Sequence, residues 1–312
     1  MMDNARIVAE GLRFPEGPVV LPDGSVVVVE IEAGRVTRVA TDGSTTVVAE
    51  TGGGPNGAAL GPDGKLYVCN DGGFAFTDLG GMLLPFGEHG VTQPDGYVGG
   101  SIQRVDLDTG DVDTIYTECD GHPLTGPNDI VFDSDGGFWF TDHGKVRARE
   151  EDRGAVYYAT TDGSSITEVL FPMHAPNGIG LSPRGDRLYV AETHTGRLWA
   201  WDVTGPGQVA KTAPFGAGGT LVAGLPGYQL FDSLAVEEGG NVCVATLVVG
   251  GISVISPDGD VDYVPLPDQY AEPLLTNICF GGGDRRTAYI TLSGTGRLLA
   301  CDWPRPGLAL AS

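Results

Sequence analysis

Short runs rich in Val, Ile and aromatic residues, some alternating with polar positions and some continuously apolar, recur along the whole chain and end at Asp-Gly or Gly-Gly pairs; no sustained helical periodicity develops. Gly and Asp tolerate positive φ, so such a pair between two apolar runs predicts a β-hairpin. The hairpins are copies of one another. FPEGPVVLPDGSVVVVE, GPNGAALGPDGKLYVCN and GPNDIVFDSDGGFWFTD are the clearest, and APNGIGLSPRGDRLYVAE, LFDSLAVEEGGNVCVAT and LTNICFGGGDRRTAYIT keep the same register. A polar anchor near the start of each copy (Glu16, Asn56, Asn128, Asn177, Asp232, Asn277) is followed seven residues later by the turn, at Asp23, Asp63, Asp135, Arg184, Gly239 and Asp284. A second pair of apolar runs follows most copies, as in GRVTRVATDGSTTVVAE and GAVYYATTDGSSITEVLF. Four strands per unit and six units predict an all-β fold, a six-bladed β-propeller of four-stranded antiparallel blades. The last unit is short of an outer strand near GRLLACDWP, and the N-terminal ARIVAEGL is the expected donor that closes the ring. Residues 1–312 read as a single propeller domain, with two tandem smaller β domains as the alternative.

In a propeller the first strand of each blade lines the central tunnel, so the six anchors are expected to converge on the axis. Each carries a side-chain oxygen and none is basic. An Asn before Gly or Asp can simply cap a turn, but a turn device does not require Glu and Asp in the same register. Two carboxylates and several amides in a partly desolvated site repel one another unless a cation sits between them. Oxygen donors without Cys or His favour hard ions: Ca2+ first, then Mg2+ or Mn2+, with Zn2+ or Fe2+ less natural.

Composition narrows the partners. With 41 Asp and Glu against 18 Lys and Arg, the formal charge of -23 disfavours nucleic acid and a polybasic membrane contact. No stretch approaches the roughly 20 apolar residues of a membrane helix, and Met1 to Glu10 lacks a basic segment followed by an apolar run, so a cytoplasmic protein is expected. Cys69, Cys119, Cys243, Cys279 and Cys301 contain no Cys-x-x-Cys pair and read as buried free thiols.

The second and third anchors lie 72 residues apart, against 40 to 55 elsewhere. The excess, at about 72–100, predicts a long loop bearing Phe74, Phe76, Met82, Leu83, Leu84, Phe86 and His89. It is either an apolar lid over the tunnel mouth or a loop tucked against a neighbouring blade or subunit. His122 and His174 precede anchors, and His143 follows the third hairpin, which makes these histidines candidate bases or solvent-facing bystanders. The remaining anchors Asn56 and Asn277, with His143 and His174, are the candidate substrate contacts.

FPEGPVV, GPNDIVFDSDGGFWFTD, APNGIGLSP, the segment Phe231-Asp232-Ser233 and TNICFGG resemble the successive blade openings of the senescence marker protein, gluconolactonase and luciferin-regenerating family over nearly the whole chain. The resemblance implies a six-bladed propeller with one catalytic divalent ion and hydrolysis of a small-molecule lactone. It implies Glu16, Asn177 and Asp232 as metal ligands and Asn128 as a ligand or substrate contact. Organophosphate-hydrolysing propellers share a similar Glu, Asn, Asn, Asp set, so phosphotriester hydrolysis is the alternative chemistry, and a non-catalytic propeller riveted by its ion is the third. Asp232 is the favoured proton acceptor, with Asp129 and Glu16 as the other candidates. The chain departs from the family at Gly126, where sugar lactonases carry Arg, and at His143-Gly144-Lys145, where bacterial members continue Pro-Pro-Tyr-Gly. Both changes fall where a polyhydroxy acid would be gripped, so a less polar lactone is expected. A monomer or small homo-oligomer is consistent with all of this.

Overall fold

The first hairpin shows how the repeated turn works. Strands Pro15–Val20 and Val26–Glu30 pair antiparallel, the Asp23 carboxylate accepts the Ser25 backbone N–H at 3.0 Å, and Gly24 takes φ +84°. Asp63 and Asp284 repeat the device, accepting the N–H groups of Lys65 and Arg286, each at 3.1 Å. A short acceptor two residues before its donor stabilises the turn locally, which is why Asp recurs at this position.

A computed structural model of the chain describes residues 2–214 and 216–311. Six antiparallel sheets form the blades of a propeller. Their innermost strands are Pro15–Val20, Pro55–Leu60, Pro127–Phe132, Pro176–Leu181, Leu230–Val236 and Leu275–Gly281, which touch in cyclic order, the first against the last. The closing strand is the expected one: Asp3–Ala9 pairs with Arg297–Asp302 as the outer strand of blade 6. Blade 4 departs from four plain strands. Its outer strand is split into Gln208–Ala210 and Thr220–Gly224, and both halves pair with Arg197–Gly205.

Apolar side chains lie chiefly between adjacent blades. Tyr67 and Ile102 of blade 2 pack with Phe132 and Phe138 of blade 3, and Cys243 and Ile252 of blade 5 pack with Ile290 and Leu299 of blade 6. Cys69, Cys119 and Cys243 are buried free thiols and Cys279 is a half-buried one; Cys301 is buried as well. Around the axis the inner strands approach closely. A Cβ on Gly57 would lie 2.3 Å from the Asn128 carbonyl oxygen, and one on Gly178 would lie 2.7 Å from the Leu234 nitrogen. At these positions glycine is therefore a steric requirement of the close approach between inner strands. No helix among the described residues is long and apolar enough to cross a membrane.

The 72–100 segment is more ordered than a plain loop. It contains the short ladder Thr77–Asp78 with Leu83–Leu84 and a 3-10 turn at Glu88–Gly90. Leaving blade 2, it crosses the mouth: Phe74, Phe76 and Leu83 pack with Phe14, Ile31 and Leu274 of blades 1 and 6, and the Thr92 N–H donates to the Val146 carbonyl of blade 3 at 3.0 Å.

Candidate functional site

Every inner strand breaks its ladder at or beside its anchor. Register shifts fall between Glu16 and Val19, Pro55 and Ala58, Pro127 and Ile130, Pro176 and Ile179, Phe231 and Leu234, and Leu275 and Asn277. A bulge releases one or two residues from pairing and re-aims their side chains; it releases the anchors Asn56, Asn128, Asn177 and Asp232 themselves, whereas Glu16 and Asn277 stay paired, with Val29 and Thr291, at the edge of the break.

Around Glu16 the chemistry is oxygen-rich and nearly dry. Glu16 is 2% exposed and accepts the Asn277 amide at 2.8 Å and the Gly17 N–H at 2.9 Å. Burial raises its carboxyl above the ordinary range. Asp232, partly exposed, is raised further by desolvation and by the charges of Glu16 and Asp129. Asp129 is pushed up to about 7, first by burial and then by Glu16, against the stabilising N–H of Ile130 at 2.9 Å. These three acids thus feel one another across blades 1, 3 and 5. The amides are tied back by their nitrogens: Asn177 donates to Thr193 at 3.2 Å, Asn56 to Asp71 at 3.0 Å, and Asn277 to Glu16. The Asn128 side-chain oxygen Oδ1 is buried without a hydrogen-bond partner. No three His, Cys, Asp or Glu side chains among the described residues form a ligand cluster by themselves, so any ion held here must draw on amide oxygens as well. A buried side-chain oxygen without a partner, in one ring of anchors with carboxyls driven up first by burial and, for Asp232 and Asp129, by neighbouring charge, fits a hard cation.

The histidines sort differently. His143 and His174, joined by His194 from the loop after the second strand of blade 4, line a cavity of about 170 Å³ at the mouth beside Ala175 and Thr195. The His143 and His194 rings meet edge to face at 5.6 Å between centroids. His122 is exposed on a short ladder and does not join them, and exposed His89 pairs with Glu88.

Burial, with His194 and Lys145 nearby, lowers His143 to about 3. Its folded value lies below the unfolded one, so the stability it contributes is present above pH 6.5 and lost as pH falls toward 3. Denaturant titrations at pH 7 and 4.5 are expected to show a smaller acid loss for His143→Gln than for the parent, by at most about 1.4 kcal/mol per pH unit below 6.5.

The side chain that sequence reasoning passed over is Lys145. It is 1% exposed, and its ammonium lies 3.2 Å from Asp71 Oδ1, donates to the Gly73 carbonyl at 2.8 Å and sits 4.3 Å over the Phe74 ring. Asp71 in turn holds the Asn56 amide and the Gly73 N–H at 2.6 Å. One buried ion pair therefore joins blade 3, the anchor of blade 2 and the start of the mouth-crossing segment. The only signal in the chain was the replacement His143-Gly144-Lys145, which reveals nothing of a partner more than seventy residues away.

A ring of bulged inner strands presenting carboxylate and amide oxygens to one axis defines a propeller with an oxygen-donor centre. Residues 14–294 match the SMP-30/Gluconolactonase/LRE-like region, and the chain belongs to that family. It is 27% identical to lactonase drp35 of Staphylococcus haemolyticus over 95% of this chain and 80% of that protein. It is 29% identical to the diisopropyl-fluorophosphatase of Loligo vulgaris over 61% of each. Among solved structures, regucalcin of Agrobacterium tumefaciens, described as a calcium-binding protein, superimposes with a TM-score of 0.75 at 17% identity, covering 99% of this chain and 96% of that one.

Proposed function

We propose that the chain is a divalent-cation-dependent hydrolase that opens a lactone less polar than a sugar lactone. The observation that carries the reading is the buried, unpartnered side-chain oxygen of Asn128, an anchor of the same ring in which the Glu16 charge raises Asp232. Glu16, Asn128, Asn177 and Asp232 would hold the ion, with Ca2+ the first expectation for four oxygen donors. Bound there, a divalent ion supplies Lewis-acid polarisation of an ester carbonyl. The chain's own part is to orient and to move a proton. Asn277 fixes Glu16, and Thr193 and Ser233 fix the Asn177 amide. Asp232, or Asp129 behind it, takes the proton of the attacking water, and a carboxyl held near neutrality is matched to that task.

Two features support the less polar substrate. At Gly126 a Cβ would lie 2.8 Å from the Gly144 carbonyl oxygen, so no arginine fits where sugar lactonases place one. The segment 72–100 packs Phe74, Phe76 and Leu83 on Phe14, Ile31 and Leu274 of blades 1 and 6, which supports its assignment as an apolar lid that sheds water from the site. His143 and His174, on the side left open, are assigned to the substrate, as are Asn56 and Asn277.

Acid release from sugar, aliphatic and aromatic lactones, and from a phosphotriester, measured after chelation and again after single ions are restored, tests this reading. Ca2+-restored hydrolysis of aliphatic or aromatic lactones ahead of sugar lactones is the expected result. Turnover of the phosphotriester alone would transfer the same site to the chemistry named for the squid relative, and silence across the panel would leave a binding propeller.

A further inference from the structure

Blades 1 and 4 end their second strands with the same device, and the difference between them exposes a second site. In blade 1 the buried Glu30 accepts the Arg13 backbone N–H at 2.6 Å, the Thr37 hydroxyl, and both arms of Arg35 at 2.8 and 3.0 Å. Glu192 holds the same place in blade 4 and accepts the His174 backbone N–H at 3.0 Å. Trp199 stands where Thr37 stands, and Arg197 faces Glu192 in the register by which Arg35 faces Glu30. Only the ion pair is missing. The Trp199 indole donates to Glu192 at 2.9 Å and the Thr195 hydroxyl at 2.8 Å, which occupies the carboxylate with neutral donors and leaves Arg197 turned outward.

Arg197 turns into a cavity of about 600 Å³ between blades 3 and 4, lined also by Arg153, Lys211, Trp199 and Phe171. Among the described residues, none of these three cations has a side-chain hydrogen bond or an ion pair. The acid in the same lining is Glu192, whose oxygens are already engaged. In a chain of net charge -23 with only 18 Lys and Arg, three unpaired cations converging in one concavity focus a positive potential that the surrounding surface lacks. The indole, its N–H fixed, offers a flat apolar wall beside them, and a guanidinium free at both arms suits bidentate contact with a carboxylate.

We infer that this cleft binds an organic carboxylate with an apolar body of about aromatic size. Arg197 and Lys211 take the anion, Arg153 neutralises it from blade 3, and Trp199 and Phe171 hold the body. Arg153 and His174 also line the smaller mouth cavity, so the cleft opens toward the mouth. The assignment requires no turnover and stands apart from the hydrolase reading.

Calorimetric titration of the full chain with 2-naphthoate, 2-naphthamide and inorganic phosphate tests it. Naphthoate is expected to bind at least about tenfold tighter than the neutral amide and to weaken about tenfold in Arg197→Gln and in Lys211→Gln, as loss of one charge-assisted hydrogen bond implies. Both residues are exposed, and an unchanged thermal midpoint confirms that the variants fold. Equal binding of acid and amide, or variants that bind naphthoate as the parent does, would overturn the site; phosphate binding as tightly as naphthoate would overturn the organic class.

Discussion

Asp232→Asn is expected to lower lactone turnover by roughly two to three orders of magnitude, the scale of losing one group that stabilises developing charge, and at the same time to raise the thermal midpoint of the ion-free protein. The two signs follow from one arrangement. Without an ion, Asp232 lies in a desolvated site where burial first, and then the charges of Glu16 and Asp129, raise it. Removing one carboxylate relieves that repulsion, and relief of about 1 kcal/mol shifts the midpoint of a chain this size by roughly 2–4 °C or less. With Ca2+ the order reverses. An ion that binds only the folded chain stabilises it in proportion to its affinity, and the variant forfeits that gain. Thermal scans in chelator and in excess Ca2+, run beside the turnover assay, check both. An ion-free midpoint that drops, with full Ca2+ stabilisation retained, would show that Asp232 is not part of the centre.

Lys145→Met is expected to cost about 3–5 kcal/mol, because it strands the carboxylate of Asp71 in a buried place with no opposite charge. Asp71 is 1% exposed and would keep only its amide and backbone donors. The double variant Lys145→Met, Asp71→Asn is expected to recover most of the loss, since a buried pair removed together leaves no orphan charge. Equilibrium unfolding in urea across the four members of the cycle measures the coupling. A single substitution as harmless as the double one would mean that the pair does not tie the blades. The functional cost goes with the structural one. Lys145 holds Gly73 and caps Phe74 at the root of the mouth-crossing segment, and Asp71 holds the anchor Asn56, so loosening the pair is expected to raise KM for apolar lactones more than it lowers kcat.

Much of this architecture was readable in the chain. Six anchors in one register, each seven residues ahead of a turn, announced the blades, and the closing of the ring by residues 3–9 followed from the missing outer strand of the last unit. The approach of the anchors Glu16 and Asp232 was readable for the same reason: a repeat converts position in sequence into position around an axis, whereas Asp129 holds no anchor position. Where the repeat was interrupted, reading failed. The split outer strand of blade 4, with its excursion at 211–219, breaks no local rule and has no counterpart in the other units.

The sequence alone determined the hairpins, the turn aspartates and the set of oxygen-bearing anchors, because each depends on neighbours within a few residues or on strict recurrence. Only the tertiary structure decided that Lys145 meets Asp71, that the 72–100 segment reaches blades 1, 6 and 3, that His194 joins His143 and His174, and that Arg197 is released from Glu192 while Arg35 is held by Glu30. Those outcomes depend on which side chain fills a space between blades. That competition is settled by packing and charge among groups brought together only when the ring has closed.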